Sequence, residues 1–444
     1  MVSRGDVIMK KKYKNLVPVA LVILMALAWY QLNSNAMAKQ NEYDKYIEEA
    51  QRYENLGILT YAQKNYMDAL KIKDTIEIRF KVADCIKGND EREYLKYCQK
   101  ILEKYPYNVE IYNRLAEYYQ QKKDFKSCFE IIDIAKKRKL SSETLTGIEK
   151  AIAFEYSFAY NTYDDVTAFI DGYCVVKRKD YYGFVDTSGK LVIDCIYKKV
   201  SSFCDGFAAV VDQTDMSYFI DTEGNKAIAT HKDSEYTEFG MISDGMMTAM
   251  LNGKYVYLDK SFNKLFGDYD FASAVNNVAA VRIGDSWEII DKNGQALGGK
   301  KYLDVIIDEN GYACRKNRIF AKDNEGYRML DTEGNMVSNQ VFDDARPFSF
   351  GTLAAVKIND KWGFVDQSGN MVIEPKFDDA RSFSYGLAAV KITGKWGFID
   401  TTGEIMIEPE FYDARDFTKE GTCFVKEGEK WQLLKLYRNL SSEG

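Results

Sequence analysis

The sequence predicts a multidomain protein with one N-terminal transmembrane helix, an α-helical region over residues 40–160 and an antiparallel β-repeat array over residues 162–437. Three observations predict this class. A stretch near the end of the chain recurs almost unchanged, apolar residues at helical spacing fill the region before the array, and an uncharged apolar run lies near the N-terminus. We expect the array to close into a β-propeller, and an open β-hairpin solenoid is the alternative.

The repeat is clearest at the C-terminal side. Residues 361–386 read KWGFVDQSGNMVIEPKFDDARSFSYG, and residues 395–420 read KWGFIDTTGEIMIEPEFYDARDFTKE. Trp362 and Trp396 are 34 residues apart, and Trp396 and Trp431 are 35 residues apart. A fixed period of this length is typical of an array built from one small supersecondary unit.

Each unit predicts three short strands joined by tight turns. Residues 387–392 form a β-prone run, Thr393-Gly394 is a hairpin signal, and residues 396–400 return as an aromatic strand. A third strand at residues 405–407 ends at Pro409, because proline cannot donate a ladder hydrogen bond. Eight lead-ins and eight aromatic strands are visible but only seven third strands, so we expect an unpaired edge in the last copy.

The pattern KWGFID-x-x-G, then IEP, FDDAR and GLAAVK, resembles the bacterial WG repeat family across residues 162–437. The resemblance implies β-rich interaction modules without an established chemistry of their own. It therefore favours binding over catalysis.

The helical region contains a predicted hairpin within residues 110–139. Two apolar runs at helical spacing flank a turn at Lys122-Lys123-Asp124. Their members are Tyr112, Leu115, Ala116 and Tyr119, followed by Cys128, Ile132 and Ala135. The order of aromatic, leucine and small residues is similar to a tetratricopeptide repeat, and this resemblance implies stacked helical hairpins.

The N-terminal segment predicts export. Lys10, Lys11, Lys12 and Lys14 precede the apolar run at residues 16–30, which ends in Trp29-Tyr30. We interpret residues 1–14 as a basic cytoplasmic tail and residues 15–32 as a signal-anchor transmembrane helix, which leaves the bulk of the chain extracytoplasmic. The alternative is a secretory signal peptide cleaved after Ala38, since Ala36-Met37-Ala38 fits a small-residue cleavage site.

Composition and motifs exclude several function classes. The net charge of −7, without a basic stripe, argues against nucleic acid. The only histidine is His231, and no nucleophile with a base and an orienting group is readable, so we expect no catalytic residue, no cofactor and no metal. The eight cysteines lack a CxxC motif and leave a Cys195–Cys204 pair open. Cys174, Cys314 and Cys423 are interpreted as small core residues.

Acidic doublets recur in the lead-ins as Asp164-Asp165, Asp343-Asp344 and Asp378-Asp379. Calcium would use such oxygen ligands. We interpret the doublets instead as turn residues, because they recur wherever the turn recurs.

The candidate ligand site is a ladder of Arg346, Arg381 and Arg415. With Phe348, Phe383 and Phe417 it would grip anionic or carbohydrate groups of a partner protein or an envelope polymer. The alternative is an internal ladder that pairs the arginines with Asp343, Asp378 and Asp413. The sequence thus predicts an exported, membrane-anchored, non-catalytic scaffold for protein–protein interaction at the cell envelope, and the alternative function is an envelope-glycan receptor.

Overall fold

The computed structural model describes residues 4–229 and 235–440, and the chain divides after residue 152 into a helical unit and a β unit. The described part of the first unit holds seven helices: α1 Arg4–Asn55, α2 Leu59–Ile72, α3 Ile76–Lys87, α4 Glu91–Lys104, α5 Val109–Gln121, α6 Phe125–Lys137 and α7 Glu143–Ala151. The helices from α3 to α7 follow polar residues whose side chains accept a backbone N–H of the first turn. These residues are Thr75, Asp90, Asn108, Asp124 and Ser142.

The hairpin predicted within residues 110–139 is present as α5 and α6. The two helices meet through buried residues of each predicted run, and the Cys128 thiol donates to the Ala116 carbonyl oxygen at 3.3 Å. In the turn between them Lys123 has a φ of 54°. The fully buried members of the runs are Tyr112, Leu115, Ala116, Cys128, Ile132 and Ala135. The resemblance to tetratricopeptide repeats stays a prediction.

The predicted transmembrane helix over residues 15–32 is wrong. Among the described residues, no helix is long and apolar enough to cross a membrane. The physical reason is length, because the apolar run covers only residues 16–30, whereas a spanning helix needs about 20 predominantly apolar residues. The segment instead forms part of α1, which continues unbroken from Arg4 to Asn55.

The second unit is a β-propeller with eight blades in its described residues. The strands of blades 1 to 4 are β2 Asp165–Val166, β3 Tyr173–Arg178, β4 Tyr181–Asp186, β5 Leu191–Tyr197; β6 Lys199–Val200, β7 Phe207–Val211, β8 Ser217–Asp221, β9 Lys226–Ala229; β10 Tyr236–Thr237, β11 Met246–Leu251, β12 Lys254–Asp259, β13 Lys264–Tyr269; and β14 Phe271–Ala272, β15 Ala279–Ile283, β16 Ser286–Ile290.

Blades 5 to 8 follow the same antiparallel order of lead-in, middle and aromatic strand, and in blades 6 and 7 an outer strand follows. Their strands are β17 Asp304–Val305, β18 Ile319–Lys322, β19 Tyr327–Leu330; β20 Asp344–Ala345, β21 Ala354–Ile358, β22 Lys361–Val365, β23 Met371–Phe377; β24 Asp379–Ala380, β25 Leu387–Ile392, β26 Lys395–Asp400, β27 Ile405–Phe411; and β28 Asp413–Ala414, β29 Thr422–Glu427, β30 Lys430–Leu436. Where blades 4 and 5 would have an outer strand, isolated bridges join Ile290 to Ala296 and Leu330 to Met336.

The ring is closed by a strand that comes before the first copy. Strand β1, Tyr156–Tyr163, pairs antiparallel with β30, so that Tyr156 lies opposite Leu436 and Tyr163 lies opposite Trp431. It supplies the third strand that the last copy lacks. The predicted unpaired edge and the open solenoid are therefore wrong, and the strands of the array begin at Tyr156 rather than at residue 162.

The aromatic strand fixes each blade in the core. Trp362, Trp396 and Trp431 are all less than a tenth exposed. The glycine after the tryptophan permits close approach of the outer strand, since a Cβ on Gly397 would lie 2.5 Å from the Ile407 carbonyl oxygen.

The Asp-x-x-Gly corner is a turn, as predicted. One Asp366 carboxylate oxygen accepts the backbone N–H groups of Ser368 at 2.8 Å and Asn370 at 2.9 Å, and Gly369 has a φ of 80°. In the copy without the glycine, Phe262 takes a positive φ of 64° at the same corner. The aspartate side chain thus sets the turn by accepting the backbone N–H groups of the residues that follow it, and the glycine relieves strain.

These turn aspartates predict that acid weakens the propeller. Hydrogen bonds from the backbone of Asn225 and of Gln295 lower the pKa values of Asp221 and Asp291 in the folded chain. A lowered folded pKa contributes stability above the unfolded value, and that stability is lost as the pH falls. We expect the free energy of unfolding in urea to decrease as the pH falls through the ordinary aspartate value of 3.8. The variant Asp221→Asn/Asp291→Asn should show a shallower pH dependence, and an unchanged dependence would contradict this assignment.

Candidate functional site

The three predicted arginines occupy one equivalent place in blades 6, 7 and 8. The backbone N–H of Arg346, Arg381 and Arg415 donates to a carbonyl oxygen of the middle strand at 2.8–2.9 Å. The same hydrogen bond occurs once in each of the other five blades. The residues that donate it there are Thr167, Ser201, Gly240, Ser273 and Ile306. We call these eight residues the ladder positions, and arginine fills three of them.

Two ladder arginines reach the lead-in of the next blade. Arg346 Nη2 lies 2.7 Å from Asp379 Oδ1, and Arg381 Nη2 lies 3.3 Å from Asp413 Oδ1. The Nε of Arg381 also donates to the carbonyl oxygen of Ala414. Each contact therefore joins two blades.

Arg415 makes the corresponding contact across the ring closure. Its Nη2 donates to the Val166 carbonyl oxygen at 2.9 Å, and its Nη1 lies 2.9 Å from Glu309 Oε2. Like the other two arginines, it lies over the tryptophan of its own blade, with 4.7 Å between the guanidinium carbon and the ring centre of Trp431. This stacking adds a favourable cation–π contact.

The structure thus contains internal Arg–Asp pairs, but of the three predicted aspartates only Asp413 takes part, as the partner of Arg381. Asp378 pairs with Lys361 at 2.7 Å, and Asp343 accepts the backbone N–H of Asn359 at 2.7 Å. The spatial neighbour of an arginine is the next blade rather than its own lead-in. The expected aromatic members of a ligand ladder are buried core residues: Phe348, Phe383 and Phe417. These contacts favour a structural role for the arginines.

Replacing all three arginines with glutamine should therefore lower stability. Their side chains are 33%, 16% and 16% exposed, in chain order. We expect a loss of about 2–4 kcal/mol in total, because charge-assisted hydrogen bonds are lost and solvent screens part of them. Urea denaturation of the triple variant, with exposed Arg282→Gln as the matched control, measures this. If the triple variant is as stable as the natural chain, the arginines do not stabilise the propeller and are better explained as ligand contacts.

A loop of blade 5 links several blades at the middle of the ring. We call residues 308–312 the central loop. Glu309 Oε1 accepts the Ala168 N–H at 2.9 Å, the Ser202 hydroxyl donates to Asn310 Oδ1 at 2.8 Å, and the Ala274 N–H donates to the Gly311 carbonyl oxygen at 2.8 Å. The loop therefore contacts blades 1, 2 and 4.

The charged groups of the central loop have their own partners. Arg315 lies 3.1 Å from Asp308, and both side chains are 16% exposed. Burial raises the pKa of Asp308, against the opposing effect of Arg315. Burial likewise raises the pKa of Asp416, and the Ser349 hydroxyl opposes that shift.

A cavity of about 670 Å³ lies over blades 1 to 4, where the ladder positions are small. We call it the ladder cavity. Its walls include Tyr182, Phe239 and Phe271, all half-buried, and Lys198 and Lys199 also line it. Its other lining residues include Thr167, Ser201, Gly240, Ser202, Met241, Ala274 and Glu309 to Gly311.

Sequence reasoning missed both the central loop and the ladder cavity. A signal for the loop is the length of the connection between the lead-in and middle strands. In blade 5 this connection covers residues 306–318, whereas in blade 7 it covers only residues 381–386. A signal for the cavity is Lys198-Lys199, which stands where other lead-ins have an aspartate doublet.

The remaining predicted candidates fall outside any site. All eight cysteines are free; Cys204 does not pair with Cys195, and its sulfur lies 3.2 Å from the Tyr312 hydroxyl oxygen. Cys174, Cys314 and Cys423 are buried core residues, as predicted. His231 lies outside the described residues. Within residues 4–229 and 235–440, no three His, Cys, Asp or Glu side chains form a group that could hold a metal ion.

This part of the chain is a repeat-type β-propeller. Its blades are copies of one repeated unit, and a strand from outside the repeat closes the ring. Residues 182–212, 327–362, 362–396 and 396–431 match the family described as "WG containing repeat". Four segments at the C-terminal side of the chain are therefore similar to WG repeats.

No curated protein matches the chain. Solved structures with partial similarity include the computationally designed Ika8 protein, at 12% identity and a TM-score of 0.42 over 63% of this chain and 98% of that one. BamB from Moraxella catarrhalis shows 10% identity and a TM-score of 0.41 over 63% and 99%. Hsv2p from Kluyveromyces lactis shows 10% identity and a TM-score of 0.36 over 55% and 92%. The assignment of the propeller fold rests on the strand pairing of this chain.

Proposed function

We propose that the chain is a non-catalytic scaffold for protein–protein interaction. The proposal is supported by the polar side chains that recur in the blades, because they bind groups within the propeller itself. Turn aspartates such as Asp366 accept backbone N–H groups within the same turn, and Arg346 and Arg381 bind the next blade. The repeat therefore builds the ring, and recognition falls to positions where the blades differ.

The fold supports this role in a second way. Blades stacked in a closed ring present fixed surfaces, and binding to a fixed surface requires little ordering of the scaffold. The helical unit adds a further surface, on which Tyr107 is 73% exposed. Large aromatic residues of this kind are common in protein interfaces.

The proposed place of action is the cell envelope. The support for it is the predicted signal peptide, because cleavage after Ala38 would accompany export and requires no spanning helix. An exported scaffold would meet either envelope proteins or envelope polymers.

Photo-crosslinking in cells tests the proposal. A photoreactive phenylalanine analogue replaces one exposed tyrosine at a time: Tyr160, 98% exposed, Tyr412, 59%, or Tyr107, 73%. We expect light-dependent adducts with one defined protein from some positions and not from others, and samples kept dark are the control. Binding of the purified chain to isolated envelope polymer, without any protein adduct, would instead favour the glycan receptor.

A further inference from the structure

The ladder cavity lies where the repeat has lost both halves of its inter-blade ion pair. In blades 6 and 7, Arg346 binds Asp379. The equivalent ladder residue of blade 1 is Thr167, which is too short to reach across. Strand pairing places Lys199 of blade 2 opposite Val211 in the same way as Asp379 lies opposite Lys391, so Lys199 replaces the aspartate.

The local charge is thereby reversed. Lys198 Nζ lies 2.7 Å from Asp215, whose side chain is 77% exposed, and Lys199 Nζ lies 3.2 Å from Glu238. The Lys199 side chain is 68% exposed. Exposed ion pairs contribute little to stability, so both ammonium groups can exchange these partners for an anionic ligand.

The ladder cavity, which both lysines line, offers apolar and polar surface together. Tyr182, Phe239 and Phe271 line it with aromatic rings, and Asn310 contributes an amide. The central-loop carboxylate that lines the cavity, Glu309, is already paired with Arg415 and the Ala168 N–H. A second cavity of about 210 Å³ shares Lys199 and Phe239 and lies between blades 2 and 3.

We propose that the ladder cavity binds an acidic peptide segment of a partner protein. Carboxylates of the segment bind Lys198 and Lys199, and an apolar side chain beside them enters between the aromatic rings. Charge complementarity favours a peptide over an uncharged sugar, because a sugar offers the two ammonium groups no anion to take the place of Asp215 and Glu238. This inference rests on the proposed function and assigns it a site.

The probe is a library of random peptides displayed on phage and selected against the full chain. Selected peptides are synthesised with a fluorescent label, and their affinity is measured by fluorescence anisotropy. We expect peptides rich in aspartate and glutamate around an apolar residue, with weaker binding at about 0.3 M than at about 0.05 M salt. Lys198→Asp/Lys199→Asp should weaken binding about tenfold or more.

Two further variants separate binding from folding. Thr167→Arg/Lys199→Asp rebuilds the ion pair of blades 6 and 7, so it should keep the thermal transition of the natural chain while filling the cavity and weakening binding. The matched control is Lys300→Asp/Lys301→Asp, a second exposed lysine doublet on the propeller, which should leave the affinity within about twofold, since exposed charges away from a site act weakly.

Three results would contradict the proposal, and each would contradict a different part of it. If the peptides bind both ladder-cavity variants as tightly as they bind the natural chain, the ladder-cavity site is wrong, but the scaffold proposal still stands. Selection of basic or uncharged peptides, or of no peptide, would overturn the acidic-peptide assignment. Binding of envelope polymer that is lost in the same two variants would overturn it in favour of a sugar, and would count against the scaffold as well.

Discussion

Replacing Trp396 with alanine should destabilise the propeller by about 3–5 kcal/mol, as truncation of large buried aromatics does. Trp396 is 4% exposed and packs in a core with Phe398, Ile407 and Phe411. The substitution also removes the ring beneath Arg381, whose guanidinium carbon lies 5.5 Å from its centre. Because blades couple to their neighbours, blades 7 and 8 should lose protection from hydrogen exchange first.

Urea denaturation and thermal melting measure this effect. Trp396→Phe should be milder because it keeps an aromatic ring in the same place, and Tyr412→Ala, at a site 59% exposed, is the matched surface control. A Trp396→Ala variant that melts like the natural chain would mean that the ring faces solvent and is available to a ligand.

Disrupting β1 should open the ring. Ser157→Pro/Thr162→Pro places two prolines in the strand that pairs with β30, and proline cannot donate to a ladder. The change also disturbs the apolar contact of Tyr156 and Phe158 with Phe411, whose ring centres lie within 6.1 Å and 6.5 Å of it. We expect β30 to become a free edge, and a free edge leads to aggregation.

Size-exclusion chromatography and urea denaturation measure the opening. The expected result is early unfolding together with higher-order species. Tyr160→Pro is the matched control, because Tyr160 lies between Phe158 and Thr162, where the register of β1 shifts, and is 98% exposed. A double-proline variant with the stability and size of the control would contradict closure by β1.

The sequence predicted those features that local chemistry determines. The Asp366 turn needs only its own backbone and Gly369, and the buried tryptophans follow from the repeat itself. The α5–α6 hairpin follows from apolar residues at helical spacing. In each of these cases the interacting residues are near one another in the chain or occupy the same place in every copy.

What the sequence could not supply depends on distant parts of the chain meeting. Tyr163 pairs with Trp431 only because the ring closes, and the segment before residue 162 carries no repeat signature. Arg346 binds Asp379 rather than Asp343 because adjacent blades are spatial neighbours. The ladder cavity arises where the repeat is degenerate, so a search for repeated residues passes over Thr167 and Lys199.

The transmembrane prediction failed for a different reason. Lysines, then aliphatic residues and then Trp29-Tyr30 follow the order that is typical of a membrane anchor. This order does not guarantee that the apolar segment is long enough to span a membrane. The apolar run stops at residue 30, and the polar residues beyond it continue in the same helix, α1.

A cross-strand disulfide tests the closed ring most directly. Ser157 and Lys435 are opposite each other in the β1–β30 pair, and opposed residues of antiparallel strands lie within the Cα separation of about 4.4–6.8 Å that a disulfide spans. The closed propeller predicts that Ser157→Cys/Lys435→Cys forms this bond within one chain under mild oxidation, detected by mass spectrometry of the digested monomer, while Ser157→Cys/Lys300→Cys forms none. Absence of the 157–435 bond in the monomer, or its formation only between chains, would contradict the closed ring.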